Sequence, residues 1–171
     1  KAGTIGTIGT TSFFPSKNLG CYGDGGAIFT NDDDLAHIVR GIVNHGMYTR
    51  YYHDVVGVNS RLDSIQAAIL RLKLPHLNDY CSARRKAARY YNKGFKSNPH
   101  IITPKTEKCG EICDTCNCHV FHQYTLKITN GKRDALHQHL MDKGIPNAIY
   151  YPVPLHKQKA YLDDRYKEEL F

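Results

Sequence analysis

Between residues 31 and 46 the chain sets Leu35, Ile38, Val39 and Ile42 at steps of three and four, the spacing of one apolar face on a helix. Asn31 to Asp34 supply N-cap candidates and first-turn acids, and Gly46 supplies a stop. The same step recurs from Arg61 to about Phe95 through Leu62, Ile65, Ala68, Ile69, Leu72, Tyr80, Ala83, Ala87, Tyr90 and Tyr91, which predicts a long helix. Pro75 falls inside it, and a proline in a helix interior removes a hydrogen bond at ~3 kcal/mol, so a kink or break is expected there. Strand signals are shorter. Gly3 to Phe14 and Gly26 to Thr30 read as the two arms of a hairpin-like edge. Val120 to Ile128 reads as a strand, Lys132 to Lys143 as a helix ended by Gly144, and Asn147 to Tyr151 as a further strand. His45 to Val58 is aromatic and polar without a period, which fits either a loop over a ligand or neighbouring subunit or a plain surface loop. Residues 98–117 carry no periodic apolar pattern and read as a long loop.

The chemistry concentrates between the first two strands, in Ser12-Phe-Phe-Pro-Ser-Lys17-Asn-Leu-Gly20 followed by Tyr22-Gly-Asp-Gly-Gly-Ala27. A lysine amine is nucleophilic only when unprotonated, and surroundings that favour the neutral amine let it form a Schiff base with an aldehyde. Phe13 and Phe14 give Lys17 apolar neighbours, Pro15 fixes the turn, and Ser12 and Ser16 offer hydroxyls to a phosphate. The alternative for Lys17 is a solvated turn residue.

The 171 residues are 41% hydrophobic, enough for one core or two small ones. No apolar run approaches the ~18 residues of a membrane span, and the start lacks the apolar segment of a signal peptide, so the expected location is the cytoplasm. The formal charge of +7 invites a nucleic-acid reading. Its basic residues are dispersed, however, with one run at Arg84-Arg85-Lys86 that suits a solvated helix face, and no nucleic-acid motif accompanies them. No nucleic-acid or membrane partner is expected; most of these charges suit a solvated surface, and attraction of an anionic ligand is the alternative.

Cys109, Cys113, Cys116 and Cys118 crowd one loop, with His119 and His122 directly after. Thiolates and imidazoles are zinc ligands, so a zinc-binding or redox module on Cys109–Cys118 is the competing hypothesis. A structural zinc site ordinarily uses a second, well-separated pair, whereas here every candidate lies within one short stretch, and an inert reduced loop is the third possibility. No metal ligand set is assigned. Cys21 and Cys81 read as small buried residues.

Four blocks in order, SFFPSKNLGCYGDGGAIFTND at 12–32, GVNSRLDSIQAAIL at 57–70, HVFHQYTLKI at 119–128 and GIPNAIYYPVPLH at 144–156, resemble the DegT/DnrJ-type sugar aminotransferases. The resemblance implies an α/β chain of the PLP-dependent transferase fold, aspartate aminotransferase type. Residues 1–60 would be the C-terminal part of the PLP-binding large domain, 61–96 the interdomain helix, and 97–171 a small α+β C-terminal domain. Members of the family are about twice as long, so an N-terminal half and a last segment are expected outside this chain. The resemblance makes Lys17 the catalytic lysine that holds pyridoxal 5'-phosphate, and gives Ser12 to the cofactor phosphate. It brings Asn59 to that phosphate from a neighbouring subunit, which implies a homodimer with shared active sites. The bare sequence allows Asn59 to be only a turn residue after Gly57. Arg61 would pair with a substrate or donor carboxylate, or with a structural acid such as Asp63. Tyr151 and His156 match a substrate-facing loop. Related dehydratases carry histidine in place of the lysine, so Lys17 implies amino transfer. The implied substrates are a nucleotide-linked keto-sugar, nearest to a 3-keto uronic acid, and an amino-acid donor, glutamate, in polysaccharide or glycoconjugate precursor synthesis.

Overall fold

A computed structural model describes residues 3–105 and 118–163 of the chain. These form two compact units, residues 3–88 with 118–122 and residues 89–105 with 123–163.

In the first unit, β1 (Gly9–Ser12) and β2 (Gly26–Phe29) pair antiparallel, with Gly9 opposite Phe29 and Ser12 opposite Gly26. The pairing continues past the strand ends, where the Phe13 N–H donates to the Gly25 carbonyl at 2.7 Å. The first strand is shorter than Gly3 to Phe14, because the glycine- and threonine-rich start pairs with β2 only from Gly9 onward. The helix α1 (Asp33–Val43) begins where expected, with Asp32 accepting from the Leu35 N–H at 3.0 Å. The chain then turns back at Gly46 (φ +75°). The following stretch, expected as an aperiodic loop, contains a small hairpin of β3 (Met47–Thr49) and β4 (Tyr52–His53), turned at Tyr51 with φ +72°.

The long helical segment is divided. The helix α2 (Ser64–Lys73) gives way to one 3₁₀ turn, Leu74–His76, with Pro75 inside it, and α3 (Leu77–Phe95) follows. A proline at the second position of a helical turn has no N–H to lose to the turn before it, so the interruption sits there. The buried apolar side chains are Leu70 on α2, Cys81 and Ala88 on α3, and Cys21 and Phe121 on connecting segments.

Within the second unit, β5 (Ile101–Ile102) pairs antiparallel with β6 (Lys127–Ile128), followed by α4 (Arg133–Asp142) and its stop at Gly144 (φ +69°). Tyr91 stacks on Phe95 with centroids 6.0 Å apart and also meets Tyr124 at 5.1 Å. The strand expected over Val120 to Ile128 is confined to its last two residues. In the first unit, Arg84 takes the carbonyls of Phe121 and His122, and Phe121 adopts φ +44°, outside the β region of regular strand backbone. Residues Asn147 to Tyr151 form no strand either; Asn147 is engaged by its side chain, with Oδ1 against His137 Nδ1 at 2.6 Å and Nδ2 donating to the Ile145 carbonyl.

Candidate active site

The turn that carries Lys17 is closed by its own backbone. The Lys17 N–H donates to the Phe14 carbonyl at 2.8 Å across Pro15 and Ser16, and the Cys21 N–H returns to the Phe13 carbonyl at 2.8 Å. Lys17 is half-buried. Beneath it, the Cys21 side chain is fully buried, with Sγ 3.0 Å from the carbonyl oxygens of both Phe13 and Gly23. Two glycines are needed at this base: a Cβ on Gly20 would stand 2.5 Å from the Pro15 oxygen, and one on Gly25 would stand 2.9 Å from the Cys21 Sγ.

Ser12 ends β1 exposed, and its Oγ accepts from the Phe14 N–H at 3.2 Å. A hydroxyl that accepts one hydrogen bond keeps its O–H free to donate, which is the role a phosphate oxygen requires. A primary amine, an exposed hydroxyl and a backbone cradle that a methyl group would fill together fit an aldehyde-bearing phosphate ester such as pyridoxal 5'-phosphate.

Asn59 and Arg61 sit beside each other elsewhere in the same unit. The segment that holds them covers the end of α1, with the Val58 N–H on the Ile42 carbonyl at 2.7 Å and the Ser60 N–H on the Val43 carbonyl at 2.9 Å. Arg61 Nε donates to Asn59 Oδ1 at 2.9 Å. The Arg61 contact is thus with Asn59, not with Asp63, and it orients the asparagine so that its Nδ2 donors remain for an anion. Both residues line a cavity of about 1010 Å³ together with Thr10, Thr11, Gly26 and Arg40; neither Ser12 nor Lys17 lines it. The cavity that Asn59 and Arg61 line is also lined by Asp24, Gly25, Gly26 and Ala27 of the glycine-rich turn that follows Lys17.

Tyr151 and His156 belong to the second unit. Tyr151 is largely exposed and lines a cavity of about 430 Å³ with Tyr124, His137 and Asn147. Burial, and then Tyr91, push the Tyr124 hydroxyl above its ordinary value. His156 lies in the short 3₁₀ turn Leu155–Lys157.

Several residues that hold the lysine loop escaped the sequence reading. Lys73 Nζ donates to the Gly20 carbonyl at 2.7 Å and lies 4.4 Å from the centre of the Tyr22 ring. Gln66 Oε1 accepts from the Tyr22 N–H at 2.7 Å. Asn18 Nδ2 donates to the Val120 carbonyl at 2.9 Å. The helical spacing of 66 and 73 was visible, but their partners lie far away in sequence.

Cys109, Cys113 and Cys116 lie outside the described residues. Cys118 is exposed with a free thiol, and His119 Nδ1 accepts from the Phe121 N–H at 2.9 Å. No helix among the described residues is long and apolar enough to cross a membrane.

A profile of the DegT/DnrJ/EryC1/StrS aminotransferases matches residues 1–170. The chain is 48% identical over 168 residues to a pleiotropic regulatory protein of Geobacillus stearothermophilus, covering 97% of this chain and 43% of that protein. It is 47% identical to the UDP-2-acetamido-2-deoxy-3-oxo-D-glucuronate aminotransferase of Pseudomonas aeruginosa, covering 95% of this chain and 43% of the relative. Its structure resembles that of S. venezuelae DesV, solved with a ketimine intermediate, with a TM-score of 0.81 and 40% identity over 98% of this chain and 43% of that one. The chain thus spans about two-fifths of the length of the relatives it matches, and carries the corresponding part of the PLP-dependent transferase fold. These comparisons give no support to a zinc or redox module on Cys109–Cys118.

Proposed function

The chain belongs to the DegT/DnrJ/EryC1/StrS aminotransferase family, and on that premise we propose that the protein is a pyridoxal-phosphate-dependent aminotransferase acting on a nucleotide-linked keto-sugar. The observation that carries the reading is Lys17, half-buried in a turn closed by its own backbone, five residues after an exposed serine whose O–H is free to donate. Pyridoxal phosphate supplies an aldehyde to trap amines and a conjugated ring to accept the electrons of a cleaved C–H bond. Lys17 would hold that aldehyde through its Nζ and, as a free amine, would carry the proton at the reacting carbon. Ser12 Oγ and the backbone of the glycine-rich turn hold the phosphate.

Asn59 approaches the phosphate from a second subunit, in a homodimer with shared sites, and the Arg61 contact, which engages only its Oδ1, leaves its Nδ2 donors for that anion. Arg61 binds a carboxylate through its guanidinium, and Tyr151 and His156 contact the sugar. The name of the Pseudomonas relative favours a UDP-linked 3-oxo uronic acid as acceptor, with glutamate as donor. In this reading residues 1–60 complete the large domain, 61–96 join it to the small domain, and 97–171 form the small domain of a cytoplasmic enzyme.

The full-length protein, incubated with pyridoxal phosphate and reduced with borohydride, is expected to carry a phosphopyridoxyl group on the Lys17 peptide and none in Lys17→Ala. An unlabelled Lys17 in a folded protein refutes the assignment.

A further inference from the structure

The segment 119–122 is tied to α3 by Arg84, to the lysine loop by Asn18, and to itself by His119. Arg84 Nη1 donates to the carbonyls of Phe121 and His122 at 3.1 Å each, Asn18 Nδ2 donates to the Val120 carbonyl at 2.9 Å, and the Phe121 N–H donates to His119 Nδ1 at 2.9 Å. Phe121 is held at φ +44°, a strained conformation for a non-glycine residue that persists only where its surroundings over-determine it. None of these bonds uses the imidazole of His122. Its Nδ1 is buried with no hydrogen-bond partner among the described residues, and so is Asn18 Oδ1, on the residue that follows Lys17. A buried acceptor without a donor is unfavourable; one of these two sits on the residue after Lys17, and the charge of Lys17 reaches the ring that carries the other.

We propose that His122 is a positioning residue for Lys17, and that its buried Nδ1, together with Asn18 Oδ1, accepts hydrogen bonds from the Lys17 amino group whenever that group carries the extra proton. The proposal rests on Lys17 being the cofactor lysine and adds the device that keeps it in place when it is not tethered. An acceptor for an ammonium must itself be neutral. Burial first, then the charges of Lys17 and of Arg84, hold the His122 ring below its ordinary value, so at neutral pH the ring accepts instead of repelling. Lys17 on the hairpin loop and Arg84 on α3 are the charged groups that reach it.

The test uses the full-length protein without cofactor, labelled by trace acetic anhydride at a series of pH values, with Lys17 acetylation read by mass spectrometry. Losing the acceptor removes stabilisation of the ammonium, so His122→Leu is expected to lower the midpoint of Lys17 labelling by about one pH unit. His122→Gln, whose amide oxygen can accept, is expected to restore it. Equal midpoints in the wild type and His122→Leu overturn the proposal. Should the leucine variant not fold, Lys17→Met replaces it, with the His122 ring followed by NMR: its midpoint must rise toward the ordinary histidine value, and an unchanged midpoint overturns the proposal. Borohydride fixation of the same wild-type preparation after pyridoxal phosphate is added judges the aminotransferase reading separately, since the labelling midpoints require no cofactor.

Discussion

A methyl group at position 20 would meet the Pro15 carbonyl oxygen at 2.5 Å and the Phe14 oxygen at 2.8 Å, and backbone atoms closing the Lys17 turn have nowhere to retreat. Gly20→Ala is therefore expected to destabilise the protein by about 1–3 kcal/mol. Gly94, near the end of α3, has nothing within 4 Å of a built Cβ, so Gly94→Ala is expected to stabilise it by about 0.5 kcal/mol through helix propensity. Denaturant unfolding of the two variants measures both, and a harmless Gly20→Ala would show that the turn is looser than its hydrogen bonds imply. At this scale the sequence was uneven. Lys17 and Ser12 were legible because their surroundings are local: proline, hydroxyls and glycines within a dozen residues. Asn18 was not, since its partner Val120 lies 102 residues away, and no short-range pattern encodes such a contact.

Gln66, Leu70 and Lys73 follow one another at steps of four and three and so share a face of α2. Leu70 is buried while its two polar neighbours bind the Gly20–Tyr22 backbone, which makes the helix a splint for the lysine loop. Lys73→Met leaves the Gly20 carbonyl without that donor and removes the cation from the Tyr22 ring; a loss of about 1–3 kcal/mol is expected, with a smaller loss for Lys73→Arg. Thermal unfolding tests this, and equal melting temperatures for wild type and Lys73→Met would show that the splint carries no load. The helices were readable because an apolar period of 3.6 extends over many residues, and the break at Pro75 because proline lacks an N–H. Elements of two to four residues were not. The β3 and β4 hairpin depends on Tyr51 accepting a positive φ, and the end of the 119–128 block depends on Arg84 claiming two carbonyls, neither of which alternation reveals.

Taken whole, the described residues bury few apolar side chains and leave others open: Val56 is 97% exposed, Ile65 73% and Leu72 74%. Where such side chains adjoin one another, the apolar surface ordinarily marks contact with further protein. The 171-residue chain expressed alone is expected to bind a hydrophobic dye and to elute larger than its monomer in gel filtration; a dye-negative monomer would mean that these side chains find cover within the chain. Fold class was legible at this scale because four blocks kept their order along the chain, whereas the Asn59 to Arg61 hydrogen bond was not, since the sequence equally allowed Arg61 to pair with Asp63.

The cysteine under the lysine turn has one more use. Cys21 is free, wholly covered and wedged between the carbonyls of Phe13 and Gly23, while Cys118 is free and open to solvent. An alkylating reagent takes Cys118 at once but must wait for the turn to lift before it finds Cys21. The protein thus carries its own clock, and the interval before Cys21 reacts counts how often the floor beneath Lys17 opens.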